Sequence, residues 1–141
     1  MNDSIKSEIR KLRENSTVAY IASINEGAFP QIKCMLVVEH DSMRVQYFST
    51  NMSSKRARQF LKNPKASVYY CDEAQFKAAL FTGTMEVCTD HDTKVFLWRE
   101  GFEMYYPKGV GDEDYCVLKF TVDTVNYYHG FSNTTFSIEE L

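Results

Sequence analysis

The run YCVLKFTVDTVNYY, residues 115–128, limits the fold of this chain more than any other stretch. Cys116, Leu118, Phe120 and Val122 recur at every second position, which is the period of a strand with one buried face. Shorter runs follow the same logic. TVAYIASI (17–24) is rich in small and β-branched residues and reads as a strand. The turn NEGAFP leads to QIKCMLVVE (31–39), with Ile32, Cys34, Leu36 and Val38 facing one way and Lys33, Met35 and Val37 the other. A tight connection, HDS, joins it to MRVQYFST, where Met43, Val45 and Tyr47 alternate with Arg44 and Gln46, so these two runs are expected to pair as a hairpin. ASVYYCD (66–72) is a fourth strand, and FKAALFTGTMEVCTD holds a long fifth. Gly83 in its middle signals a bulge or a close backbone approach.

Helical periodicity is confined to three places. Ile5, Ile9 and Leu12 mark an amphipathic helix over 4–14 with Ser4 as its cap. Within STNMSSKRARQF (49–60) a short helix opens with Lys55 and Arg56 in its first turn, and it stops at Pro64, which cannot continue it. TDHDTKVFLWRE opens with a Thr-x-x-Asp start signal and carries helix formers up to Trp98. The aromatic segment GFEMYYPKGVGDEDY contains a glycine-rich turn, and the tail HGFSNTTFSIEEL carries no clear pattern. About six strands with tight hairpins and a short mid-chain helix describe an antiparallel barrel or sandwich with helical decoration. No βαβ spacing and no G-x-G-x-x-G is present, which disfavours a parallel nucleotide-binding sheet. At 141 residues, without repeats or a composition break, residues 1–141 are expected to form a single domain.

Composition removes several function classes. A net charge of −3 offers no case for nucleic acid or an anionic membrane as partner. No apolar run approaches a bilayer span, and the charged, periodic N-terminus is unlike a signal peptide, so a cytoplasmic protein is expected. Cys34, Cys71, Cys88 and Cys116 form no C-x-x-C pair and lie in apolar or alternating stretches, as reduced core residues would. His40, His91 and His129 are scattered, so no metal site is expected. No Ser-His-Asp, Cys-His or paired-carboxylate pattern points to hydrolysis.

One feature calls for a ligand. Lys55 and Arg56 occupy the first turn of the mid-chain helix, where the macrodipole is already positive. Hydroxyls and free backbone N–H groups at a helix start can surround a phosphate, and the two cations would then bond its oxygens. The plainer alternative is a helix capped by Ser53 or Asn51 with two solvated cations. Lys33, alone in an otherwise apolar run, needs a partner or a route to solvent, and the same anion would supply one if its strand ran beside YFSTN.

In order and spacing, Pro30, Lys33, Met35 and Leu36, then Phe48-Ser49-Thr50-Asn51, Ser54-Lys55-Arg56 and Asn63-Pro64 resemble the pyridoxamine 5′-phosphate oxidase-like FMN-binding split barrels. FTGTMEVCTD is similar to that family's G-x-x-E-V strand, and EMYYPKGVGDEDYCVLKF to its general-stress-protein branch; the likeness covers about residues 15–128. The resemblance implies a mainly β fold, a six-stranded antiparallel Greek-key split barrel that forms a homodimer with FMN between the subunits. It implies that Lys33, Thr50, Ser54, Lys55 and Arg56 hold the phosphate end, with Ser49 beside them. Cys34, Met35 and Leu36 would line the ring. Lysine at 33, where arginine is usual, keeps the charge but loses the bidentate fork.

The vitamin-B6 oxidase itself grips substrate phosphate with a C-terminal Arg-x-His element, and no arginine follows Arg99 here. The family's partner-subunit glutamine also lacks a counterpart, Ala78 standing near that place. The resemblance therefore implies an FMN-dependent oxidoreductase passing electrons from a reduced nicotinamide or flavin to a small organic acceptor, and not a true pyridoxamine-phosphate oxidase. A non-catalytic flavin-binding stress protein or redox sensor is the alternative. Trp98, Phe102, Tyr105 and Tyr106 either stack on the flavin and gate the acceptor, or form core or dimer contacts.

Overall fold

The N-terminal apolar stripe folds as expected. Ile9 and Leu12 of helix α1 (Asp3–Glu14) are buried, and each contributes about 1.5–3 kcal/mol of transfer free energy. The helix starts one residue before Ser4, which lies inside its first turn and does not cap it. This is seen in a computed structural model that describes residues 3–38 and 42–141; His40 and most of the HDS connection lie outside the described residues.

Among the described residues the strands are β1 (Val18–Ile24), β2 (Pro30–Leu36), β3 (Val45–Asn51), β4 (Lys65–Asp72), β5 (Lys77–Cys88), β6 (Tyr115–His129) and β7 (Ser132–Ser137). Helix α2 (Lys55–Lys62) follows β3, and α3 (His91–Leu97) follows β5. All seven strands belong to one antiparallel sheet, ordered β2-β1-β4-β5-β6-β3 with β7 also on β6. The two ends of that path, β2 and β3, approach each other without a ladder between them. This is the expected mainly β split barrel, with one strand more than the expected six.

The extra strand comes from the length of β6. Of its 15 residues, the run from Val117 to His129 pairs with β5 along one edge. The other edge carries β3 from Tyr115 to Thr121 and β7 from Thr124 to His129. The tail, which shows no pattern of its own, finds its structure by completing that edge.

Two further expectations are corrected. The runs 31–39 and 43–50 do not pair as a hairpin: β2 pairs with β1 and β3 pairs with β6. The NEGAFP turn already supplies β2 with a neighbour, and the apolar Phe48 of β3 meets Leu118 of β6 in register. The faces of β3 are also inverted. Gln46 and Phe48 point into the barrel, while Val45 and Tyr47 are half-buried on the outside. Gln46 is tolerated there because the Tyr70 hydroxyl donates to its Oε1 at 2.6 Å and its own Nε2 donates to the Met43 carbonyl at 3.0 Å.

Gly83 meets both of its expected roles. The β5–β6 register shifts between Thr82 and Gly83, and a Cβ there would stand 2.0 Å from the Thr121 carbonyl oxygen. The main core fills the barrel with Phe48, Val68, Tyr70, Phe81, Leu118 and Phe120, closed by Ile9 and Leu12 of α1 and Phe60 of α2. A second core lies outside β5 and β6, where Leu97, Trp98, Phe102 and Tyr106 cover Cys88, Tyr115 and Val117.

Candidate functional site

Strand β3 ends at Asn51, and the chain turns once before α2 begins. Ser54 caps the helix in extended backbone conformation, its Oγ accepting from the Ala57 N–H at 3.1 Å. The Thr50 hydroxyl also points at Ser54 Oγ, 3.4 Å away. Ser54 therefore accepts twice and keeps its own proton for an outside acceptor. The first turn of α2 contains no acidic residue, so nothing on the helix itself offsets Lys55 and Arg56. Lys55 is exposed and Arg56 half-buried, and neither has an ion-pair partner among the described residues.

The expected lining on β2 divides between the two faces of that strand. Lys33 and Met35 share the inward face with Gln31, and Met35 packs on the barrel core. Gln31 lines a cleft of about 670 Å³ with Lys55, Arg58 and Gln59, so the inward face of β2 opens toward α2. Cys34 and Leu36 point outward with Ile32, where Leu36 is 55% and Ile32 74% exposed. Lys33 is thus not a cation on a buried strand, because β2 is an edge strand exposed along nearly its whole length. Its ammonium reaches solvent directly.

The edge itself is open in a defined pattern. Val37 N–H bonds the Thr17 carbonyl and Asn25 N–H the Phe29 carbonyl, both at 3.0 Å, so the odd-numbered residues of β2 face β1. In an antiparallel ladder the alternate residues then turn their groups away from that partner. The N–H and C=O groups of Ile32, Cys34 and Leu36 accordingly line the free edge, beside the gap toward β3.

A residue that sequence reasoning missed dominates the turn before α2. Asp114 accepts from Asn51 Nδ2 at 2.7 Å, from the Ser53 backbone N–H at 2.9 Å and from Ser53 Oγ at 3.2 Å, while its carbonyl accepts from Met52 N–H at 2.7 Å. The Ser53 backbone bond first, then the Asn51 amide, holds its carboxyl below the usual carboxylate range. Asp112 positions it from behind, accepting from the Asp114 N–H at 3.0 Å and the Lys108 N–H at 3.1 Å. Lys94, buried in α3, donates to the Asp112 carbonyl at 3.1 Å and lies 5.2 Å from the Tyr115 ring centroid. The Asp-x-Asp spacing in GDEDY signals a local Asx turn, but nothing local signals its distant partners.

The aromatic residues form a packed cluster. Trp98, Phe102, Tyr106 and Tyr115 meet edge-on or tilted, with centroids 4.6–6.4 Å apart. Tyr105 alone among the four residues singled out in the sequence is well exposed. The Tyr106 hydroxyl bonds the Ser49 side chain, and burial pushes its pKa up. Ser49 is half-buried on the outer face of β3, while Thr50 offers its carbonyl to Cys116 Sγ at 3.5 Å. Of the cysteines only Cys88 and Cys116 are core residues; Cys71 is half-buried and Cys34 exposed, so the expectation of four core thiols holds for two. Among the described residues no cluster of three metal-ligating side chains occurs, and no helix is long and apolar enough to cross a membrane.

The family described as pyridoxamine 5′-phosphate oxidase like matches residues 4–140. No curated protein matches the chain. Among solved structures, the chain is similar to a Clostridium acetobutylicum protein described as related to general stress protein 26 of B. subtilis, of the pyridoxinephosphate oxidase family. That likeness has 35% identity and a TM-score of 0.90 over 99% of both chains. It shares its fold with a pyridoxamine 5′-phosphate oxidase-related, FMN-binding protein of Nostoc punctiforme, with 12% identity and a TM-score of 0.73 over 94% of this chain and 86% of that one. It shares the fold too with a heme binding protein of Mycobacterium smegmatis, with 14% identity and a TM-score of 0.78 over 99% of this chain and 60% of that one.

Proposed function

The chain belongs to the pyridoxamine 5′-phosphate oxidase-like family, and from that premise we propose that it is an FMN-binding oxidoreductase passing electrons from a reduced nicotinamide or flavin to a small organic acceptor. The observation that carries the reading is the unpaired Lys55–Arg56 couple on a helix start that lacks any acid of its own. A phosphate there meets the dipole, the Ser54 proton and two cations at once. Thr50 gives its proton to Ser54 Oγ and so leaves the Ser54 proton for the phosphate, and Lys33 shares the inward face of β2 with the cleft residue Gln31. The free edge groups of Ile32, Cys34 and Leu36 suit the hydrogen-bonding edge of a flat ring, with Met35 beneath. Bound FMN would itself supply the redox chemistry; these residues hold and orient it. The description of the Nostoc protein as FMN-binding supports the same cofactor.

A homodimer with the flavin at its interface accompanies this reading. Ile32, Leu36, Tyr20 and Tyr69 form an exposed apolar patch on the outer face of β2, β1 and β4 that no helix covers, which supports a second subunit there. Four free thiols suit a reducing cytoplasm. With no arginine beyond Arg99, pyridoxamine-phosphate oxidase activity is not part of the reading.

One observation favours the non-catalytic alternative, a flavin-binding stress protein or redox sensor. The rings of Trp98, Phe102, Tyr106 and Tyr115 pack on one another, so that of the four aromatic residues singled out in the sequence only Tyr105 is exposed to meet an acceptor. Steady NAD(P)H consumption with an added acceptor separates the two readings.

The primary test is the visible spectrum of purified protein, before and after FMN is added and the excess removed. A flavin spectrum that collapses in Lys55→Ala/Arg56→Ala is the expected result. A wild-type protein that retains no FMN, or that shows an intense Soret band of haem instead, overturns it.

A further inference from the structure

The helix start that attracts a phosphate already has an anion beside it. Asp114 takes both donors of Ser53, backbone and hydroxyl, together with the amide of Asn51. Ser53 and Asn51, the residues that the sequence offered as helix caps, are thus held by Asp114. We propose that Asp114 is a positioning residue of the cofactor site: it fixes the 51–53 turn so that the Ser54 hydroxyl, oriented by Thr50, and the Lys55 and Arg56 cations converge on one phosphate, and it withdraws Ser53 and Asn51 from the phosphate's own donor set. This rests on the flavin reading above.

Two observations support the assignment. First, the carboxylate is anchored from behind and not merely present. Asp112 accepts from the Asp114 N–H, and buried Lys94 of α3 donates to the Asp112 carbonyl. Second, the turn is bound to Asp114 through main chain on both sides, since Met52 N–H donates to its carbonyl and Ser53 N–H to its carboxylate. Residues 50 and 54 flank this pinned segment, so their hydroxyls inherit its geometry.

The test compares FMN with riboflavin, which carries the same ring without the phosphate. Wild type, Asp114→Ala and Asn51→Ala are titrated with each flavin, and binding is read from quenching of flavin fluorescence. Wild type is expected to prefer FMN. Asp114→Ala should weaken FMN about tenfold, the scale of one lost charge-assisted hydrogen bond, while riboflavin changes less than about twofold. Asn51→Ala, which leaves the carboxylate and one arm of the clamp in place, should lower the same FMN-to-riboflavin ratio by a smaller factor and serves if Asp114→Ala does not fold. A general loss of structure would weaken both flavins together and overturn the proposal, as would an unchanged ratio. A wild-type protein that binds neither flavin overturns the flavin reading itself, a result distinct from wild-type binding that ignores Asp114.

Discussion

Gly83 and Thr121 cross so closely that a Cβ at position 83 would stand 2.0 Å from the Thr121 carbonyl oxygen. The clash is with backbone on the long strand that carries β3, β5 and β7, so no side chain can rotate to relieve it. Gly83→Ala should therefore cost about 3 kcal/mol, the upper range for overpacking. Urea unfolding measures it, and a loss under about 1 kcal/mol would mean that the β5–β6 bulge relaxes without cost.

The thiols should separate by position. Burial pushes Cys88 up to about 11 and Cys116 up to about 12, while Cys34 lies on an exposed strand. A thiol reagent at mildly alkaline pH should modify Cys34 first and Cys71 more slowly, with Cys88 and Cys116 reacting only on unfolding. Cys34 also borders the apolar patch proposed as the subunit contact, so on that proposal its labelling should slow as protein concentration rises. Rapid reaction of Cys88 or Cys116 in the folded protein would contradict the burial of both side chains.

Asp114 predicts a specific acid sensitivity. Its folded pKa is depressed, so the stability it contributes is present above its unfolded value of 3.8 and is lost as pH falls through the folded value. Wild type should lose urea resistance below about pH 4, and Asp114→Asn should show a shallower loss over that range because its clamp does not titrate. Parallel acid profiles for the two proteins would show that the clamp carries no linked proton.

Much of the architecture was legible in local pattern. The stripe Ile5, Ile9, Leu12 placed α1, Pro64 ended α2 one residue after its Asn63 cap, and the alternation from Cys116 to Val122 marked the central strand. Gly83 announced its close approach. What failed was everything that depends on a partner. Gln46 looked like a solvent-facing residue until Tyr70 reached it across the barrel. Ser132–Ser137 looked like an unpatterned tail until the second half of β6 offered it an edge.

The site shows the same division. Hydroxyls and cations adjoining a helix start are neighbours in sequence, so Thr50, Ser54, Lys55 and Arg56 were found together before any fold was known. Asp114 comes from a loop that only the folded sheet brings to the turn before α2. The sequence by itself determined periodicity, turn chemistry and chain stops, because these depend on backbone conformation within a few residues. The tertiary structure alone decided which strand edges stay open, which polar residues face inward and which acid clamps the turn before α2. Those outcomes follow from hydrogen bonds and burial between distant segments, and no local propensity encodes a distant partner.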